Sequence, residues 1–216
     1  VMYHMDEPLG DASAVALYFL SKEAAGHVKV VLSGEGADEL FGGYNIYREP
    51  ESLKKIAWIP FGVRRVIGKL AAKLPDVKGR DFLIRAGMKV EERFIGNAYI
   101  YREKEKAQIL KNKVTGPSTQ EYLRPFFEEL ESENRGLLQD MEKMQSVDLR
   151  YWLPGDILQK ADKMSMAHSL EVRVPFLDKE VFDFAAKLPK EAKIAAGTTK
   201  YIFRKAVSQF IPQETD

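Results

Sequence analysis

The chain has 216 residues, 45% of them hydrophobic and 30% charged, which suits a globular protein with one large core or two modest ones. Its 33 Lys and Arg balance 32 Asp and Glu, so no net field invites nucleic acid or an anionic membrane. Cysteine is absent, which excludes disulfides, thiolate nucleophiles and cysteine-bound zinc and fits a reducing cytosol. No apolar run approaches the roughly 20 residues of a membrane span, and no secretory signal opens the chain. The first residue is Val1 and the opening reads as mid-protein sequence, so an internal piece of a longer polypeptide is expected.

In chain order, Asp6-Glu7-Pro8-Leu9-Gly10-Asp11 is a turn-rich lead-in to an amphipathic helix over about 13–26. Val15, Leu17, Tyr18, Leu20 and Ala24 supply its apolar positions, with Asp11 or Ser13 as cap. The β-branched run Val28–Leu32 predicts a short buried strand. It breaks at Ser33-Gly34-Glu35-Gly36, and Ala37 to Phe41 reads as a helical turn closed by Gly42-Gly43. No second convincing strand follows, so the remainder is expected to be helical. Over 60–75, Val63, Val66, Ile67, Leu70 and Leu74 form one face and Arg64, Arg65, Lys69 and Lys73 the other. This pattern predicts a surface helix packed on the core, a membrane-lying helix being the alternative. Gly79, Gly87 and Gly96 interrupt short helical pieces up to about residue 112, and Thr115-Gly116-Pro117-Ser118 marks a sub-boundary near 114–119.

Helices are expected again over 120–131 and 137–150, the second with a core stripe of Leu137, Leu138, Met141, Met144 and Val147. Tyr151-Trp152-Leu153-Pro154-Gly155 is expected to turn the chain. A helix from Asp156 to Leu170, an extended elbow over Val174–Asp178, a helix over about 179–187 capped by Asp178, and a last helix from Thr198 to Phe210 follow.

Chemistry concentrates in two places. Ser33, Glu35, Asp38 and Glu39 stand at the carboxyl end of a strand, where open α/β sheets bind ligands. Three carboxylates and a hydroxyl there suit a nucleotide held through a metal ion better than a bare phosphate. Asp38 and Glu39 also have an ordinary reading as first-turn acids that stabilise a helix dipole by about 0.3–1 kcal/mol each. Glu35, between two glycines, escapes that explanation. The chain contains neither G-x-x-x-x-G-K-[ST] nor G-x-G-x-x-G. His4, His27 and His168 lack zinc-ligand spacing. The second place is Asp156 to Asp178, rich in charges near apolar residues. There Glu171, Arg173 and Asp178 are expected to form a structural ion-pair network, since unpaired buried charges cost several kcal/mol.

On the string Ser33 to Tyr44, the Asp6-Glu7-Pro8 lead-in and the block Asp156 to Asp178, the chain resembles the ammonia-dependent synthetase domain of glutamine-hydrolysing asparagine synthetases. The likeness runs over nearly the whole chain and is weakest in about 48–120. β-Lactam synthetases and amidotransferases of peptide or polysaccharide pathways are similar, and they set the alternative acyl substrates. Relatives carry an N-terminal glutaminase domain, an S-G-G-x-D-S pyrophosphate loop and a later K-x-G-F-x-x-P stretch, none of which is found here. The resemblance therefore implies a partial synthetase domain over 1–216, truncated at both ends and inactive alone, with a tendency to self-associate. The implied fold is the α/β adenine-nucleotide α-hydrolase-like type, of which these residues keep one or two strands and a large helical portion.

The same resemblance implies ATP and Mg²⁺ as cofactors, and aspartate with ammonia from glutamine hydrolysis as substrates. It also implies a cytoplasmic protein, with a homodimer possible for the full-length enzyme, and no nucleic-acid or membrane partner. Glu35 and Lys200 match the catalytic residues, Ser33, Gly34 and Gly36 the adenylate-binding set, and Asp38 the metal ligand. Asp162 and Lys163 are expected in the substrate pocket. A non-catalytic helical interaction domain that keeps the motif as scaffold is the alternative of another class.

Overall fold

The computed structural model describes residues 1–97, 101, 103–111 and 116–212. In chain order the elements are α1 (Ser13–Ala25), β1 (Val30–Leu32), α2 (Ala37–Phe41), α3 (Glu49–Lys54), α4 (Phe61–Ala71), α5 (Arg80–Ala86), α6 (Val90–Arg93) and α7 (Glu103–Ile109). Next come α8 (Thr119–Glu133), α9 (Asp140–Val147), a π-helical run Asp148–Leu158, α10 (Gln159–Met166), β2 (Glu171–Arg173), α11 (Lys179–Ala186), α12 (Lys190–Lys193) and α13 (Tyr201–Val207). The described residues are thus predominantly helical, with two strands. The chain divides into two units, one of Val1–Tyr44 with Gln145–Asp216 and one of Asn45–Met144. The Thr115 end of the expected sub-boundary, and residue 112 before it, lie outside the described residues. Its remaining part leads into Ser118, whose hydroxyl accepts from the Glu121 amide and caps α8.

In the first unit β1 and β2 pair in parallel, Val30 opposite Glu171, Val31 opposite Val172 and Leu32 opposite Arg173. Flanking amides extend the ladder, Glu171 donating to the Lys29 carbonyl at 3.0 Å and Ser33 to the Arg173 carbonyl at 2.8 Å. The expected burial of β1 does not hold, because Val30 and Leu32 are exposed and only Val31 is half-buried. The second strand fits the one or two that the resemblance implies, but Glu-Val-Arg has one apolar residue and so offers no run to locate it.

Helix α1 starts where expected, with Asp11 Oδ1 accepting the Ser13 amide at 2.8 Å. Its inward positions are small: Ala14 and Ser21 are buried, while Val15 and Leu20 are exposed. Ala14 joins Met5 and Met164 in a core, covered by Leu9, Leu17 and Tyr18. Tyr151 to Gly155 does not turn the chain. The wider π-helical coil carries Pro154 through and continues into α10, burying Leu153 and Ile157. The expected ion-pair network is smaller than three residues: Arg173 pairs with Glu171 at the surface, and Asp178 instead accepts the Glu180 amide at 2.8 Å as the cap of α11.

Lys160, buried on α10, lies between two carboxylates, pairing with Asp11 and, at 3.4 Å, with Asp156. Burial lifts Asp11, but the Lys160 hydrogen bond and the Ser13 amide outweigh it and hold Asp11 down to about 2. Burial pushes Asp156 up, and the Asp11 charge adds to that push against the pull of Lys160. A depressed folded-state carboxyl stabilises the fold above its unfolded value near 4, and that stabilisation is lost as pH falls toward about 2. Asp11→Asn is therefore expected to lower the urea midpoint at pH 7 and to leave it nearly unchanged at pH 2. An equal deficit at both values would remove this role from Asp11.

The second unit is built on helix pairs and ion pairs. Gly68 of α4 faces α5, where an added Cβ would lie 3.1 Å from the Leu83 carbonyl oxygen, and one at Gly87 would lie 2.6 Å from that of Arg64. The small residues therefore set the crossing, and the expected core face of α4 turns outward instead. Val63, Val66, Leu70 and Leu74 are exposed. Arg93, almost wholly buried, bridges Glu49 at 2.9 Å and Asp140 at 2.7 Å, and Lys143 binds Glu131 and, at 2.7 Å, Glu91. Met141, Met144 and Val147 form the expected buried stripe, while Leu137, ahead of α9, is exposed.

Candidate active site

The turn after β1 is shaped by two positive-φ glycines. Gly36 (φ 88) opens α2, and an added Cβ there would strike the Leu177 side chain, so this position is held for packing. Gly42 (φ 71) ends α2 in the left-handed conformation, its amide returning to the Asp38 carbonyl. The Ser33 amide is committed to the sheet through the Arg173 carbonyl, and Gly34 beside it is exposed. Glu35 is half-buried in the turn, and its charge is felt at Glu39. Among the described residues no hydrogen bond or ion pair holds the Glu35 carboxylate.

Asp38 and Glu39 are neighbours with opposite surroundings. Glu39 is buried, accepts the Tyr44 hydroxyl at 2.6 Å, and is pushed up by burial despite that hydrogen bond, with the Asp38 and Glu35 charges adding to the push. Trp152 Nε1 donates in turn to Tyr44 Oη at 3.3 Å. Burial first, and then the Glu39 hydrogen bond, drive the Tyr44 phenol well above its ordinary range. Asp38 is more open and pairs through Oδ1 with Lys200 Nζ at 2.8 Å.

The approach of Lys200 has an identifiable cause. Phe41 on α2, Phe176 and Phe203 on α13 form a three-ring cluster, with Phe203 centroids 5.3 Å from each of the other two. Leu40 and Ala185 bury beside it, with Leu149, Leu177 and Val181 packed around. This core docks the start of α13 on α2 and so delivers Lys200, which heads α13 at φ 53 and ψ 32. A left-handed lysine costs of order 1–3 kcal/mol, a conformation kept where the surroundings dictate it. Gly43 completes the arrangement: a Cβ there would overlap Asp38 Oδ1 and Lys200 Cε. Sequence alone marks Gly43 as no more than a helix stop.

The sequence matches the asparagine synthase family over residues 1–215. This chain belongs to that family. It is 50% identical over 214 residues to glutamine-hydrolyzing asparagine synthetase 1 of Bacillus subtilis, covering 99% of this chain and 33% of that protein. It is 45% identical over 213 residues to a putative glutamine-hydrolyzing asparagine synthetase of Mycobacterium tuberculosis, covering 98% and 32% respectively. A putative glutamine-hydrolyzing asparagine synthetase 2 of Methanocaldococcus jannaschii is 30% identical over 174 residues, 79% of this chain and 32% of that protein. The chain thus spans about a third of the length of the curated relatives it matches.

Within this asparagine synthase chain the distant pair Asp38 and Lys200 meet, with Glu35 on the turn that leads into α2. Asp162 and Lys163 do not join them among the described residues. Asp162 is exposed, and Lys163 pairs with Asp6 at 2.8 Å, beside the Lys160–Asp11 contact at the head of α1. No group of three or more acidic or histidine side chains among the described residues could hold a metal. Asp38 suits the other mode of magnesium binding, one or two carboxylates with substrate phosphates and water completing the shell. No helix among the described residues is long and apolar enough to cross a membrane.

Proposed function

We propose that this chain carries part of the site in which aspartate and ATP give β-aspartyl-AMP and pyrophosphate, after which ammonia, released from glutamine, displaces AMP to give asparagine. The observation that carries the reading is the Asp38–Lys200 contact, which brings a cation from α13 onto the acid-rich turn. A carboxylate is a poor electrophile, and esterification to AMP turns its oxygen into a leaving group. Charge then grows on the α-phosphate and acyl oxygens. The Lys200 ammonium, held in place by the Phe203 packing, is the group suited to stabilise it. Nucleotide-borne Mg²⁺ would be held by Asp38 and would neutralise polyphosphate charge. The Ser33 hydroxyl and the open Gly34 backbone position the adenylate, while Gly36 keeps the turn close to Leu177.

Glu35 is the base in this reading. Attacking ammonia sheds a proton as the carbon–nitrogen bond forms, and an unengaged carboxylate on the turn can accept it. In the full-length gene product, Glu35→Gln is expected to lower asparagine output by about 10²- to 10⁴-fold while glutamine is still hydrolysed. Asparagine and glutamate release, followed together by chromatography, check this. Undiminished asparagine output would take the base role from Glu35.

A further inference from the structure

Gln145 is a buried polar residue inside the methionine stripe of α9, and the adenylation reading gives it no role. Its side chain is tied at both ends. Nε2 donates to the Glu39 carbonyl at 2.5 Å and to the Leu40 carbonyl at 3.2 Å, and Oε1 accepts from Lys193 Nζ at 3.2 Å. Two carbonyls on one side and an ammonium on the other fix which amide atom is nitrogen. Gln145 and Lys193 are 5% and 6% exposed, so neither end of this strap is a loose surface contact.

The two carbonyls belong to α2, a helix of five residues. A helix that short has no interior, and its last carbonyls lack intrahelical partners. The Asp38 carbonyl is served by the Gly43 amide at 2.7 Å. Those of Glu39 and Leu40 are served by Gln145, across more than a hundred residues of sequence. The Glu39 carboxylate is anchored separately through Tyr44 and Trp152. Helix α2 is thus held from two sides, while the residue between its anchors and the turn, Asp38, meets Lys200.

We infer that Gln145 is a positioning residue for adenylation: with Lys193 it clamps the carbonyl end of α2, and so sets where Asp38 presents its carboxylate to Lys200 and the nucleotide. The inference rests on the adenylation reading above. It makes Gln145 neither a ligand nor an acid or base. Its amide geometry acts through α2, and a displacement near 1 Å at a reacting centre is enough to cost about 10²-fold in rate.

The test uses the full-length gene product with Gln145→Met, which keeps the volume and removes both donors and the acceptor. Gln145→Glu keeps the acceptor for Lys193 and removes both donors. Lys193→Met leaves the donors and loosens the far anchor. Aspartate-dependent ATP–pyrophosphate exchange per folded molecule is expected to fall at least about 10-fold in both Gln145 variants, with KM for ATP within about 2-fold. Combining Gln145→Met with Lys193→Met is expected to cost no more than Gln145→Met alone, as for two residues acting through one contact. Amide hydrogen exchange over residues 37–44 is expected to quicken in every variant. Unchanged turnover per folded molecule, even with a lowered melting temperature, would overturn the inference and leave Gln145 a packing residue. Failure of all the variants to fold would overturn it in the same way. A wild type without exchange activity would sink the adenylation reading alone. The strap itself would then be supported by quicker amide exchange in the variants and overturned by none.

Discussion

Alanine at Gly43 is expected to leave the fold standing while cutting aspartate-dependent ATP–pyrophosphate exchange about 10²-fold. The added methyl overlaps Asp38 Oδ1 and Lys200 Cε, the far ends of two flexible side chains. Gly43 is not among the positive-φ glycines, so the backbone accepts alanine. The overlap is relieved by swinging the two side chains apart, which costs little stability because their ion pair is partly exposed. The same swing removes the geometry on which the proposed adenylation depends, and misplacement by about 1 Å carries a rate cost of that order. Thermal unfolding and exchange assays on the full-length gene product separate the two effects. A variant with normal turnover would show that the Asp38–Lys200 approach is not needed in the reactive complex.

The second large effect is expected at Lys200. Removing a fixed donor or cation from a developing oxyanion costs about 10²–10³-fold in turnover, and Lys200→Met is expected to fall in that range. Asp38→Asn tests the opposite side, weakening use of the magnesium nucleotide while keeping the shape. Stability is expected to respond in the other sense. Lysine at φ 53 is strained, so Lys200→Gly relieves about 1 kcal/mol of backbone cost while abolishing the charge. Lys200→Gly should therefore melt no lower than Lys200→Met, with turnover of both reduced by at least about 10²-fold. If Lys200→Gly melts well below Lys200→Met, the left-handed start of α13 is not the strained element described above. If either retains full turnover, Lys200 stabilises no transition state.

Much of this site is visible in the sequence because local rules govern it. The β-branched run, the glycine turn and Gly42-Gly43 fix β1 and α2 within a residue or two, and Ala37–Phe41 matches its expected span. The head of α1 follows from Asp11. What the sequence hides depends on contacts between distant segments. β2 is a strand only because β1 lies beside it. Most of the apolar face of α4 is exposed, against the amphipathic reading, because small residues, Gly68 above all, let α5 approach more closely than valines would. Pro154 and Gly155 read as a turn, since nothing local signals that a π-helical coil will carry them through. Family likeness singles out Lys200, and only the Phe41–Phe176–Phe203 packing explains how it reaches Asp38. Gln145 leaves a trace: it stands four residues after Met141 and next to Met144, a buried polar side chain beside the apolar stripe, as Lys143 and Asp148 also are.

The first unit is made of two stretches interrupted by the whole of the second, Asn45–Met144. During synthesis Asp38 leaves the ribosome 162 residues ahead of Lys200. At about 5–20 residues per second, that is a wait of roughly 10–30 s. Gln145 follows Asp38 by 107 residues and β2 by 133, so for most of the wait the motif has neither its lysine nor its glutamine strap, and β1 lacks β2. Folding of Asn45–Met144 in the interval shortens the effective loop that must close, and loop closure is what delays pairing between distant strands. The pace of that closure therefore depends on the inserted helical unit, which holds none of the proposed site residues.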